Sequence, residues 1–302
     1  MPGQAIDPRA VTGSEPRPGG AAGWGAHPAR DALDGAITAI AAAGCETPRL
    51  DAELLLADVL GVSRERLIVD RELAVEGPAI RAFQEAVHRR AVQREPVAYI
   101  LGRQGFRRLE LAVDRRVLIP RPETELLVES ALSIRSGAAV LDVGTGSGAV
   151  ALALAQERPD LHVTGSELSA DALDVARANG RRLGLDVHWL HADLLAGVPD
   201  EFDAVLANLP YVADSERAAL APEISRHEPP AALFAGPDGL AAIGALLEQL
   251  APRERVQLVA LEVGAGQAPA VARRVEAAGF GAVRLQRDLA GIERVVVGER
   301  VR

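Results

Sequence analysis

Asn208-Leu209-Pro210-Tyr211, directly after an apolar run at residues 202–207, carries the residue types needed to make a poor nitrogen nucleophile react. A planar amide nitrogen or an exocyclic amino group is weakly nucleophilic because its lone pair is delocalised. The Asn208 carbonyl and a backbone carbonyl near Leu209 are suited to accept its two hydrogens, turning the remaining electron density towards an electrophile held in line. Pro210 stiffens the backbone that places those acceptors. The face of Tyr211 suits stacking on a planar group. Such a transfer needs neither a metal nor a strong base. Asn208, Pro210 and Tyr211 are the candidate catalytic residues, and Leu209 joins them as a candidate substrate-binding residue. A plain loop turn is the bland alternative, in a chain with only two tyrosines.

The electrophile needs its own site. Val140-Leu141-Asp142-Val143 reads as a strand running into Gly144-Thr145-Gly146-Ser147-Gly148, with a helix over 149–156. Glycine permits backbone angles closed to other residues and lets a ligand approach the main chain, so this loop suits a nucleoside-type cofactor at the carboxyl edge of a sheet. Taken alone it leaves the cofactor open, because Gly144-x-Gly146-x-x-Ala149 also satisfies the dinucleotide fingerprint. Glu167 follows Gly148 by 19 residues at the end of the next strand. There an acidic side chain can accept from both ribose hydroxyls. Asp193 and Leu194 close the third strand, placed to take an adenine amino group and pack on its ring. NAD and S-adenosylmethionine both fit this much, and the Asn208 tetrapeptide favours S-adenosylmethionine.

Composition removes other chemistries. All 33 basic residues are arginine. Without lysine there is no P-loop, protein-kinase or Schiff-base chemistry. The single Cys45 excludes an internal disulfide and a multi-cysteine metal site. A net charge of −9 argues against a broad nucleic-acid surface. Arg103, Arg107, Arg108, Arg115 and Arg116 read as a solvated hairpin surface. None of the six histidines has a catalytic partner that the sequence identifies. No apolar stretch is long enough for a membrane span, and the expected location is the cytoplasm.

These motifs need a scaffold. Residues 1–29, rich in Gly, Pro and Ala, read as a disordered tail. Amphipathic helical patterning over 30–95 predicts a small bundle, with Thr47-Pro48 opening a helix that Gly61 ends and Ser63 capping the next. Over 96–121 the period changes: Leu109, Leu111 and Val113 alternate with polar or small residues and Val117-Leu118-Ile119 follows, which reads as a β-hairpin linker. From 122 to 302, strands near 138–143, 162–166, 187–191, 202–207 and 256–263 alternate with helices. This pattern predicts an α/β fold with a mainly parallel sheet. The short connection between strand-like segments 282–289 and 293–298 predicts an antiparallel hairpin at the end, which suits a methyltransferase better than a dehydrogenase.

Over residues 30–302 the chain resembles the release-factor glutamine methyltransferases of the HemK/PrmC type. The resemblance rests on the glycine loop, the Asn208 motif and Ile119-Pro120-Arg121-Pro122-Glu123-Thr124-Glu125. Ala232-Leu233-Phe234-Ala235-Gly236, Asp238-Gly239-Leu240 and Leu261-Glu262-Val263-Gly264 add to it. It implies a class I, Rossmann-like methyltransferase preceded by a helical domain that helps recognise a release factor. The implied reaction moves a methyl group from S-adenosylmethionine to the glutamine side-chain nitrogen of the Gly-Gly-Gln motif. By position, residues 144–148, Glu167, Leu194 and Asn208 would contact the cofactor, while Asn208 to Tyr211 would hold the glutamine. The implied partner is a release factor, with no direct nucleic-acid or membrane binding and a monomeric enzyme. Pro122 and Glu123 are good helix-start residues, and the segment is assigned no catalytic role. The family usually carries Asn-Pro-Pro-Tyr, so Leu209 is a departure that keeps the backbone carbonyl but loosens the pocket. Asn-Leu-Pro-aromatic is also similar to ribosomal RNA adenine dimethyltransferases, making N6-adenine methylation of ribosomal RNA the alternative. An NAD oxidoreductase and a non-catalytic cofactor-binding scaffold are the remaining readings.

Overall fold

A computed structural model describes residues 27–300. The tail reading of residues 1–26 lies outside the described residues. Its last three residues are a correction. His27–Pro28 (β1) pairs antiparallel with Ala74–Val75 (β2), and Ala29 opens the first helix. A tail boundary at 29 fails because Ala29 is fully buried and its N–H donates to Leu73 O at 2.8 Å.

The N-terminal helices are Ala29–Ala42 (α1), Pro48–Leu60 (α2), Arg64–Val69 (α3), Pro78–Ala91 (α4) and Val97–Leu101 (α5). Pro48 starts α2 at the position where its missing N–H costs nothing, Gly61 ends it at φ 63, and Ser63 Oγ caps α3 by accepting from Arg66 N. Leu33, Ile40, Leu55, Leu56, Leu67 and Phe83 of α1–α4 fill a core that also takes in Val75 of β2 and has Val97, Ile100 and Leu101 of α5 packed against it. Burying several such side chains, each worth about 1.5–3 kcal/mol, holds together helices too short to persist singly.

The linker departs from its sequence reading. The hairpin strands are Arg103–Phe106 (β3) and Leu109–Ala112 (β4), so the partner of Leu109–Ala112 precedes it in the chain. Val117-Leu118-Ile119 forms no strand. Arg103-Gln104-Gly105 hides the apolar alternation that would have marked β3. Phe106, Leu109 and Leu111 bury into the catalytic core. The arginines nearby are largely ion-paired: Arg103 with Asp58 at 2.6 Å, Arg107 with Glu157, Arg115 with Glu95 and Arg116 with Asp114.

A 3-10 turn at Pro122–Thr124 leads into Glu125–Ala131 (α6). There follow Ala139–Val143 (β5), Ala149–Glu157 (α7), His162–Glu167 (β6), Ala170–Leu183 (α8), His188–His191 (β7) and Ala204–Ala207 (β8). After Pro222–His227 (α9) come Ala241–Leu250 (α10), Leu258–Glu262 (β9), Ala268–Ala277 (α11), Ala282–Arg287 (β10) and Glu293–Glu299 (β11). The sheet order is β10-β11-β9-β8-β5-β6-β7, with β11 antiparallel to both neighbours and the other pairings parallel. Both faces are covered, one core lying under α6 and α7 and the other under α10 and α11. Every residue of β8 and β9 is buried, as expected for central strands of a parallel sheet. The expected closing hairpin and class I methyltransferase topology are both present. Sequential strands leave β5 in opposite directions, to β6 on one side and β8 on the other. That is the topological switch point at which α/β sheets bind ligands.

Candidate active site

At the carboxyl end of β5, Gly144, Gly146 and Gly148 adopt φ of 71°, 56° and 84°. These values are open to glycine and strained for other residues. Gly144 and Thr145 both donate to Ser166 O at 2.9 Å, which ties the loop to β6. Asp142 is buried beneath it, accepting from Thr145 Oγ1 at 2.6 Å and Ala151 N at 3.2 Å. Burial pushes the Asp142 carboxyl up to about 7 against those two hydrogen bonds. Asn179, fully buried on α8, links Ala112 of the hairpin to Ser147 O at 3.0 Å. Gly165 on β6 must lack a side chain because a Cβ there would lie 2.6 Å from the Trp189 ring.

A cavity of about 530 Å³ opens beside this loop. Residues 144–147, Glu167, Asp193, Leu194, Asn208, Leu209 and Pro210 all line it, as do Asp142 and Arg116. Gly148 lies behind, packed on Leu152 and Trp189. Glu167 is pre-set: its carboxylate accepts from Gly146 N and Ser169 N, each at 3.0 Å. Leu194 holds a left-handed φ of 50°, a strained backbone of the kind that gathers at ligand sites. A Cβ built on Gly144 would sit 3.1 Å from Leu209 Cδ2, so the two motifs are in contact.

Asn208 Nδ2 donates to Thr124 Oγ1 at 3.0 Å. Tyr211 is placed differently from its neighbours and is not among the lining residues. Its hydroxyl points to Glu262 Oε1 at 3.4 Å, its ring runs beside Gly264, and its carbonyl accepts from Gln267 Nε2 at 2.9 Å. A Cβ at Gly239 would come 2.2 Å from Tyr211 O. The Asp238-Gly239-Leu240 and Leu261-to-Gly264 signatures thus make room for Tyr211. Burial and the Glu262 charge push the Tyr211 phenol up, keeping it a donor.

Two stretches of this chain match described families: residues 31–102 the PrmC N-terminal domain and residues 122–230 the methyltransferase small domain. Along 265 residues it is 41% identical to the release factor glutamine methyltransferase of Caulobacter vibrioides, covering 85% of this chain and 91% of that one. Against the enzyme of the same name from Gloeobacter violaceus it is 42% identical, covering 81% and 88%. The chain belongs to the release factor glutamine methyltransferase family. It is therefore a methyltransferase, and the relatives do not favour the ribosomal RNA alternative. Among solved structures, the catalytic domain of hMettl16 in complex with the MAT2A 3'UTR hairpin 6 matches at TM-score 0.53 and 14% identity. That match covers 76% of this chain and 84% of the other and bears on the fold alone.

Within this family member the structure also brings in residues that the sequence left aside. Thr124 and Pro120 line the cavity, although the sequence by itself assigns their segment only a helix-start role. Glu228, buried to 3%, pairs with Arg121 and accepts from Ile119 N at 3.3 Å. It fastens that segment to the loop carrying Pro229, Ala231, Ala232 and Phe234, which form a wall of the cavity. The signal available in the sequence was the Pro120–Glu125 cluster itself, whose polar residues exceed what a helix start requires. Among the described residues, no helix is long and apolar enough to cross a membrane.

Proposed function

We propose that this chain transfers a methyl group from S-adenosylmethionine to the side-chain amide nitrogen of the Gly-Gly-Gln glutamine in peptide chain release factors. The observation that carries the reading is that Asn208, Leu209 and Pro210 line the same cavity as the glycine loop and Glu167. Three carboxyl-bearing side chains, Asp142, Glu167 and Asp193, line it too, with Arg116 as the cation. That balance suits a ligand carrying positive groups. Residues 144–147 and Glu167 would hold the cofactor's nucleoside, with Gly148 packing the loop from behind, and Asp193 and Leu194 its adenine. When bound, S-adenosylmethionine supplies an electrophilic methyl group.

The protein's part is positioning. Asn208 Oδ1 and the backbone carbonyl beside it accept the two hydrogens of the glutamine amide, which aims the nitrogen's electron density and costs no reorganisation at the moment of reaction. Pro210 restrains that backbone. Tyr211 supports the loop from behind, which replaces the stacking role expected of it. The helical domain of α1–α4 would meet the release factor, the macromolecular partner, and the reaction would take place in the cytoplasm.

The test is methyl transfer from radiolabelled cofactor, with purified release factor and unmodified ribosomal RNA offered side by side. Label on the release factor that disappears when its Gly-Gly-Gln glutamine is replaced supports the reading. Label on the RNA overturns it.

A further inference from the structure

Glu262 ends β9 directly behind the acceptor loop and is 1% exposed. The Tyr211 hydroxyl reaches its Oε1 in a long hydrogen bond of 3.4 Å, while Oε2 has no hydrogen-bond partner among the described residues. A buried carboxyl left half-satisfied costs free energy, which calls for a reason at a position touching the reaction motif. The neighbouring Thr124 hydroxyl supplies one. It is near enough to the same carboxyl to favour its ionised form, although no hydrogen bond closes between the two, and its oxygen accepts from Asn208 Nδ2 at 3.0 Å.

A hydroxyl has a single proton. While Thr124 accepts from Asn208, that proton is left for the Glu262 carboxylate. A bond from Thr124 to the open Oε2 of Glu262 would complete a donor order running from the Asn208 amide to Thr124 and from Thr124 to Glu262. With Nδ2 engaged, Oδ1 is the end of Asn208 free to accept a hydrogen from an incoming amide. A reversed Asn208 would offer N–H groups to N–H groups.

Resting on the function proposed above, we propose that Glu262 and Thr124 are positioning residues, a relay that fixes which end of the Asn208 amide meets the acceptor nitrogen. Neither needs to touch the reacting atoms. Burial pushes Glu262 up to about 7, with Glu123 raising it further and Thr124, Tyr211 and Arg294 opposing. These groups come from the 3-10 turn, the acceptor loop and β11, the elements that face it. Ionised, Glu262 accepts a hydrogen bond from the Thr124 hydroxyl and the amide is correctly set. Protonated, it donates to Thr124, whose proton is then free for Asn208 Oδ1, and the reversed amide becomes competitive. Turnover therefore falls as pH drops through about 7.

The experiment combines kinetics with an observation that needs no substrate. In full-length enzyme, Thr124→Val lowers kcat about ten- to hundredfold, the scale of a misplaced catalytic group, with KM and cofactor Kd little moved, and Thr124→Ser restores it. Glu262→Gln, whose carbonyl still accepts but cannot ionise, loses the acid limb of the kcat profile. Asp142 titrates in the same range, so the Gln variant decides, not the wild-type profile alone. Independently, the side-chain amide resonance of 15N-labelled Asn208 shifts with pH near 7 in wild type and stays flat in Glu262→Gln. Unchanged kcat in Thr124→Val, an acid limb that survives in Glu262→Gln, or an Asn208 resonance indifferent to pH each overturns the relay. A titrating resonance in an enzyme that never labels a release factor upholds the relay and overturns the proposed substrate.

Discussion

Arg90, on α4 of the helical domain, donates to Glu223 on α9 of the catalytic domain at 2.6 Å, while its Nε holds Asp51 of α2, also at 2.6 Å. Arg94 grips the same Glu223 through two nitrogens at 2.9 Å and reaches back to Ala43 O. Its backbone sits at a left-handed φ of 56°, a strain the surrounding contacts must hold. Beyond α9 the chain continues directly into the cavity wall at Pro229, Ala231 and Ala232. The helical domain is thus anchored to the segment that shapes the site.

Breaking this cluster exposes how much it holds. Arg90→Ala leaves the buried Asp51 without its cation and the half-buried Glu223 with Arg94 alone, a loss of about 3–5 kcal/mol for the unpaired buried charge of Asp51. Chemical denaturation of the variant reads this as a lowered midpoint. Glu223→Gln, which keeps the shape and part of the hydrogen bonding, costs less.

Asn208→Ala removes the acceptor of the amide hydrogen while leaving the glycine loop and Glu167 in place. Turnover falls by about a hundredfold or more, the scale measured when one preorganised polar group is lost. Cofactor Kd by calorimetry moves much less. Unchanged turnover removes Asn208 from the mechanism.

Glu167→Ala acts on the other motif. It removes a charged acceptor from the cavity and also the support of Gly146 N and Ser169 N. Hydrogen bonds to charged groups are worth about 1.5–3 kcal/mol, so Kd for S-adenosylmethionine rises about ten- to hundredfold in calorimetry. A Kd equal to wild type takes Glu167 out of the cofactor site.

The raised carboxyls make stability depend on pH in a fixed direction. Asp142 and Glu262 stand at about 7 in the folded protein and near 4 in an unfolded chain, about the ordinary carboxylate value. The folded state binds these protons more tightly, so their contribution is full below about pH 4 and is lost as pH rises through about 7. Unfolding free energy therefore declines between about pH 4 and 7. Glu262→Gln removes its share of that decline, about 3 kcal/mol, as urea titrations across this range would show. A slope equal to wild type means that Glu262 is already ionised at pH 5.

Much of this protein was legible in local sequence. The glycine loop, Glu167 and the Asn208 tetrapeptide each lie within one strand and the turn that follows. Their residue types dictate their backbone and chemistry without reference to anything distant. Periodicity likewise marked the alternating strands and helices and the closing β10–β11 hairpin, because burial on two faces and short connections leave direct traces in the chain. Tertiary structure decided the rest. Strand β3 was hidden because Arg103-Gln104-Gly105 has no alternation, and its pairing became visible only through Phe106 and Leu109. Thr124 meets Asn208 across a separation of 84 residues, and nothing local to either predicts the contact. The Tyr211 ring runs beside Gly264 and its carbonyl beside Gly239, room that two distant elements supply. Glu262 reads as one more residue of an apolar strand until the fold buries it behind the acceptor loop. Motif chemistry is local, whereas proton order and side-chain direction depend on which distant groups the packing brings within about 3 Å.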